Sequence, residues 1–281
     1  MGVDRRKFLK IAGISALGVA AKPAASVFAK DMGSFTPSET ILHLFDKPLG
    51  FAPGEALTAT RWAMVVNVKA VDEEIANACQ AACHKIHNVP DIENPKHEIK
   101  WIWSDNYENV FTDQEHELIM DDLKELPFLA LCNHCYDPPC VRVCPTKATF
   151  KRETDGIVVM DMHRCIGCRF CMAACPYGSR SFNWVDPREY INEEEQNMDY
   201  PTRMKGVVEK CNFCAELLAE GRIPRCVEVA QEISREKGKE PALVFGDLDD
   251  PDSEVRKLLR SRYSLRRKPT LGTNPNVYYI V

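Results

Sequence analysis

The chain has 281 residues, 27% of them charged, and a formal net charge of −5. That length allows one or two domains with substantial cores. It contains no Gly-rich dinucleotide or phosphate loop and no motif-placed histidine–acid pair, which argues against a nucleotide cofactor and against hydrolytic chemistry. Thirteen cysteines, eleven of them between Cys132 and Cys226, mark where the chemistry should be sought.

Residues 1–29 read as a targeting segment. Twin arginines in Asp4-Arg5-Arg6-Lys7-Phe8-Leu9-Lys10 precede a moderate apolar stretch from Ile11 to Ala21, and Val27-Phe28-Ala29 offers small residues to a signal peptidase. This resembles a twin-arginine export signal, a route taken by folded, cofactor-loaded proteins. Without it the chain has five fewer basic residues and one fewer acidic residue, so 31 stand against 40, or −9. Such an acidic balance argues against nucleic acid as a partner. No other stretch is long and apolar enough to span a bilayer.

Residues 30–60 read as irregular, and Arg61 to Val68 as a strand rich in β-branched residues. Asp72 caps an expected helix from Glu73 to His87, with Cys79 and Cys83 four apart on one face. A second strand is expected at Ile99 to Trp103, its tryptophan pair packing in the core. Next comes Cys132-Asn-His-Cys135-Tyr-Asp-Pro-Pro-Cys140-Val-Arg-Val-Cys144-Pro145, a C-x2-C-x4-C-x3-C-P run. Thr149 to Met160, centred on Asp155-Gly156, reads as a β-hairpin.

The run Cys165-Ile-Gly-Cys168-Arg-Phe-Cys171-Met-Ala-Ala-Cys175-Pro176 follows. It has the C-x2-C-x2-C-x3-C-P spacing by which bacterial ferredoxins hold [4Fe–4S] clusters, the fourth cysteine reaching across to the other cluster. Crossing assigns Cys132, Cys135, Cys140 and Cys175 to one cluster and Cys144, Cys165, Cys168 and Cys171 to another. Zinc prefers two separated pairs, and cysteines two or three apart pair poorly as disulfides, so both alternatives fit less well. His134 and His163 flank ligands; they are either surface residues or donors that tune the clusters through sulfur.

Trp184 to Gly206 is a polar excursion containing Glu193-Glu194-Glu195, read as a solvated loop. A third group, Cys211-Asn-Phe-Cys214 and then Cys226, lacks a fourth member, since Ala230 stands in its place. The early helix has the opposite defect: with Cys83 as last member and Cys79 as third, Ala76 and Glu73 occupy the other two places. Crossing makes one whole site from the two damaged groups: Cys83, Cys211, Cys214 and Cys226. Three [4Fe–4S] clusters on twelve cysteines are therefore expected, with Cys79 a buried free thiol. A strand at Ala242 to Phe245, an amphipathic helix at Ser253 to Tyr263 and a strand at Asn276 to Val281 close the chain. The basic Arg256, Lys257, Arg260 and Arg266-Arg267-Lys268 form a solvated face or a contact for lipid headgroups or an acidic partner.

The expected fold class is α+β: two bacterial-ferredoxin-like modules of hairpins and short helices, with pseudo-twofold cluster-binding loops. The boundaries read 1–29 signal, 30–130 N-terminal half-module with an insertion, 131–183 two-cluster module and 184–281 second half-module with a C-terminal tail. The runs Cys132 to Ala148, His163 to Gly178 and Glu209 to Glu216 resemble the ferredoxin-like iron–sulfur subunits of membrane redox complexes of the polysulfide reductase and formate-dependent nitrite reductase type. The three-cluster pattern and the ending Arg267 to Val281 are most similar to the DsrO-type subunits of DsrMKJOP complexes in sulfur metabolism. The resemblance implies an electron-transfer subunit without catalytic residues, periplasmic and held at the membrane by its partners. Those implied partners are an integral-membrane, quinone-interacting subunit of the NrfD type and a periplasmic c-type cytochrome. In four-cluster relatives the site missing here faces a molybdopterin subunit, so its loss implies that none docks at that end.

Overall fold

The computed structural model describes residues 56–281 apart from Glu193 and Glu195. The signal segment, most of the irregular stretch 30–60 and two members of the acidic triplet fall outside the described residues. The strands are β1 (Trp62–Asn67), β2 (Ile102–Asp105), β3 (Phe128–Leu131), β4 (Thr149–Lys151), β5 (Val158–Met160), β6 (Ser181–Phe182), β7 (Val208–Glu209), β8 (Leu243–Asp247), β9 (Ser264–Leu265) and β10 (Val277–Ile280). The α-helices are α1 (Glu73–Ile86), α2 (Tyr107–Val110), α3 (Asp121–Lys124), α4 (Pro139–Arg142), α5 (Phe170–Ala174), α6 (Ala215–Ala219), α7 (Arg225–Glu236) and α8 (Glu254–Ser261). This mixture of helices and strands agrees with an α+β class. None of the helices among the described residues is long and apolar enough to cross a membrane.

The largest sheet is built from the two ends of the described chain, in the order β8-β1-β10-β9. β1 runs parallel to β10 and antiparallel to β8. All six residues of β1 are buried, because both faces are covered. Trp62, Met64 and Val66 join the main core with Ile75, Cys79, Cys83, Val227 and Ala230. On the opposite face Ala63 and Val65 meet Val255, Leu258 and Leu259 of α8. The unbroken apolar run Trp62-Ala-Met-Val-Val thus reads as a strand between two layers of helix.

α1 starts as expected, because the Asp72 carboxylate takes the Ile75 N–H at 3.0 Å. It packs along α7, where Ala76 and Ala230 are buried. Those two residues stand where a second cluster in this module would need cysteines. A leucine at either place would overpack the contact at a cost of about 1–3 kcal/mol.

The expected strand at Ile99 to Trp103 lies further along, at Ile102–Asp105. Ile99 and Trp101 are buried, the Lys100 N–H bonds the Ser181 hydroxyl and the Trp101 indole bonds Glu209. Those bonds occupy the segment, so the ladder opens only at Ile102 opposite Leu131. β4 and β5 form the expected hairpin, but pairing ends at Lys151 and Val158, leaving a six-residue connection. Gly156 takes the left-handed conformation, φ 75°, at its tip. The neighbouring Asp155 is buried, paired with Arg152 at 2.6 Å, and its carbonyl accepts the Trp62 N–H at 3.2 Å.

Candidate iron–sulfur sites

The C-x2-C loops that open the three cysteine groups share a backbone feature that only one of them advertises. The residue before the second cysteine is left-handed in each: His134 at φ 41°, Gly167 at 68° and Phe213 at 57°. Such turns aim successive N–H groups into the loop's concavity, an arrangement suited to anionic sulfur. The third cysteine of each group, Cys140, Cys171 or Cys226, is the second residue of α4, α5 or α7. In α7, the longest of the three, the helix dipole adds to the attraction for negative charge. The C-P exits match too, Lys147 (54°) and Gly178 (64°) being left-handed at the third place after Cys144 and Cys175.

Cys132, Cys135, Cys140 and Cys175 line one cavity, together with Asn133, Pro138, Val158, Tyr177 and Arg180. These thiols come from both ferredoxin-type runs. Burial pushes the Cys135 thiol up to about 12, and the neighbouring Cys132, Cys140 and Cys175 add to the rise. Four adjacent thiols, three of them buried and Cys175 half-buried, cannot all ionise unless a cation joins them, and that is the chemistry an iron cluster supplies. Asn133 is buried, and both polar atoms of its side-chain amide lack a protein partner. A buried amide without partners costs roughly 1–3 kcal/mol, so its place in this lining fits a sulfur cluster as its partner. The C-terminal segment braces the loop: Asn276 donates to the carbonyls of Asn133 (2.9 Å) and His134 (2.7 Å), and Tyr136 N–H donates to Asn274.

Of the second predicted set, Cys171 is buried and lies beside Cys165, while Cys144, Cys165 and Cys168 are half-buried. Burial opposes ionisation of Cys144, but the backbone N–H groups of Thr149, Ala148 and Thr146 and the Thr146 hydroxyl outweigh it and hold the thiol below its usual range. Cys171 is also a neighbour of Cys140, which puts the first and second sets side by side. Ile166 and Phe170 of this loop are exposed.

The third predicted set is deeply buried. Cys83 neighbours Cys211 and Cys226, and Cys214 neighbours Cys83, Cys211 and Cys226. Burial pushes Cys83 and Cys214 well up, and the adjacent thiols push further. Cys211 also lies beside Cys132 of the first set. Cys79 stands apart in its bonding: its S–H reaches the Cys226 carbonyl at 3.3 Å, and burial pushes it up to about 12. None of the thirteen cysteines is in a disulfide.

Several polar residues around these thiols were not legible in the spacing. His87 Nδ1 lies 2.9 Å from the Cys83 carbonyl and 3.5 Å from its Sγ, and Nε2 meets the Glu216 carboxylate at 2.6 Å. The ligand atoms of His87, Cys214 and Glu216 fall within 4.8 Å of one another, so this corner too could hold a metal ion. Trp101 stacks on His87, and a fully buried Arg203–Glu209 pair at 2.7 Å supports the stack. His134, for which a surface position was one reading, is buried and stacks on Phe213 at 3.7 Å, whereas His163 is exposed. Arg180 and Lys210 are buried and have no carboxylate partner among the described residues. Buried unpaired cations require a compensating anion. Thiolate-bound clusters carry that negative charge.

A family profile described as a 4Fe–4S dicluster domain matches residues 125–189. The Hdr-like menaquinol oxidoreductase iron–sulfur subunit 1 of Archaeoglobus fulgidus is 39% identical over 299 residues, covering 99% of this chain and 97% of that relative. The iron–sulfur cluster-binding subunit of menaquinone reductase from Nitratidesulfovibrio vulgaris is 36% identical, covering 78% of this chain and 88% of its own length. Protein NrfC of Escherichia coli is 33% identical, with 72% and 74% covered. Thiols gathered from separate motifs, buried cations without carboxylates and end-to-end similarity agree, and the chain belongs to the family of [4Fe–4S] electron-transfer subunits of oxidoreductase complexes, a non-catalytic component.

Proposed function

We propose that the protein relays electrons through three [4Fe–4S] clusters held by the first set (Cys132, Cys135, Cys140, Cys175), the second (Cys144, Cys165, Cys168, Cys171) and the third (Cys83, Cys211, Cys214, Cys226). Each cluster, when bound, supplies a one-electron site with a potential somewhere in the roughly −700 to +450 mV range open to such centres. The observation that carries the reading is contiguity. Cys211 of the third set neighbours Cys132 of the first, and Cys171 of the second neighbours Cys140 of the first, which supports electron passage from set to set. The chain's own residues hold the thiols in register, keep water from the third set and provide N–H groups from left-handed loops. The matching left-handed positions of the two ferredoxin-type runs support a pseudo-twofold relation between them. The burial of Ala76 and Ala230 on the packed helices α1 and α7 supports three clusters rather than four.

The partners in this reading are an NrfD-type integral-membrane subunit that exchanges electrons with quinone and a periplasmic c-type cytochrome, in a complex of the DsrMKJOP type. The quinone end draws support from relatives whose names specify menaquinol oxidoreductase and menaquinone reductase. Export by the twin-arginine route would place the loaded protein in the periplasm. The test is reconstitution with the membrane subunit and menaquinol, followed by EPR. Cluster signals that grow with added quinol only when the membrane subunit is present support the relay; signals indifferent to it refute the assignment.

A further inference from the structure

Arg180 occupies an unusual position for a guanidinium. It is 5% exposed and lies on the segment between the Gly178 turn and β6. It lines the cavity of the first thiol set and faces Cys140 and Cys132 of that set and Cys171 of the second. Its protein contacts are few: Nη2 donates to the Thr149 hydroxyl at 2.8 Å and Nη1 approaches the Met160 sulfur at 3.8 Å. Five N–H donors in a rigid fork are thus served by one hydroxyl and one weak acceptor, and the remaining capacity is turned toward sulfur. No carboxylate neutralises the charge among the described residues.

We propose that the Arg180 guanidinium is a positioning and potential-setting group shared by the first and second clusters, raising the potentials of both. The proposal rests on the three-cluster reading above. Reduction adds an electron to a centre already negative through its four thiolates. A permanent buried cation therefore favours the reduced form, and does so more strongly where water is excluded. Because the same guanidinium lies beside thiols of the first and second sets, its charge acts on both, whereas the buried cation beside Cys211 of the third set is Lys210. Arginine stays charged at any working pH, so the effect does not vary with pH.

The test uses the full chain, anaerobically purified, with Arg180→Gln and Arg180→Lys, iron and sulfide quantitation and an EPR-monitored redox titration. Cys83→Ser identifies the third cluster's signal. The expected result is that Arg180→Gln keeps its iron, two midpoint potentials fall and the third holds, while Arg180→Lys restores most of the fall. Unchanged potentials in a fully loaded variant, or an equal shift of all three, would overturn the proposal. If Arg180→Gln loses iron from the first and second sets, rescue by lysine supports the charge role and equal loss in the lysine variant overturns it. A wild-type protein without about twelve irons would instead remove the three-cluster reading beneath, an outcome visible before any variant is made.

Discussion

Replacing Cys83 with serine takes one of four thiols from a site whose other members come from beyond residue 210. Cys83 is 4% exposed and neighbours Cys211, Cys214 and Cys226. A serine hydroxyl is a poor iron ligand there, and iron should fall from about twelve to about eight per chain, since each cluster holds four. Cys79, one helical turn away, gives the contrast. Its S–H bonds the Cys226 carbonyl at 3.3 Å, a role a serine hydroxyl can take over. Burying that hydroxyl with its bond made should cost about 1 kcal/mol, with iron unchanged. Iron and labile sulfide assays with EPR on the two purified variants decide the matter. Equal iron loss in both would refute the assignment of Cys83, and with it the pairing of the early and late groups.

Gly167→Ala should damage the second loop selectively. Its φ is +68°, and a Cβ would clash with the Gly206 carbonyl oxygen, so a penalty of at least about 2 kcal/mol is expected, read as a lower melting temperature and loss of about one cluster's iron. Arg203→Met would leave Glu209 buried without its partner. The expected cost is about 3–5 kcal/mol in a melting experiment, whereas a change at the exposed Arg188 should stay near zero. Asp72→Ala removes the α1 cap and the acceptor for Lys237 and Lys239, for a loss of about 1 kcal/mol. The Lys237 ammonium is the main cause of the low Asp72 pKa. That stability should therefore be full above the unfolded carboxyl value of about 4 and be lost progressively as pH falls from there through the much lower folded value. A wild-type-to-variant gap in melting temperature that closes above pH 6 would contradict this.

The parts of the fold most legible in the sequence are those where one residue type dictates one geometry. Asp72 announces the start of α1 through its side-chain cap, and the all-apolar run from Trp62 announces a covered strand. Cysteine spacing with the trailing Pro145 and Pro176 marks the ferredoxin-type runs. The parallel pairing of β1 with β10 was hidden because it joins segments about 200 residues apart and nothing local specifies it. The left-handed turns at His134 and Phe213 were hidden for the opposite reason: such a conformation is uncommon for any residue but glycine, even for histidine, which adopts it more readily than phenylalanine. Asn133, Arg180, His87 and Glu216 carry no spacing signal at all. Asn133 and Arg180 are identified by burial without ordinary partners, and His87 and Glu216 by their pairing beside Cys83 and Cys214, properties of the packed molecule. The strand expected at Ile99 moved to Ile102 because Lys100 and Trp101 spend their hydrogen bonds on Ser181 and Glu209.

The central claim is that sulfur atoms from remote parts of the chain complete three clusters, one of them assembled from two groups that are each deficient alone. Quantitation of iron and acid-labile sulfide in the anaerobically purified wild-type chain tests it most directly. About twelve of each per polypeptide is the predicted result. About eight would mean that Cys83, Cys211, Cys214 and Cys226 hold no cluster, and about sixteen that the closely packed α1–α7 contact hides a fourth.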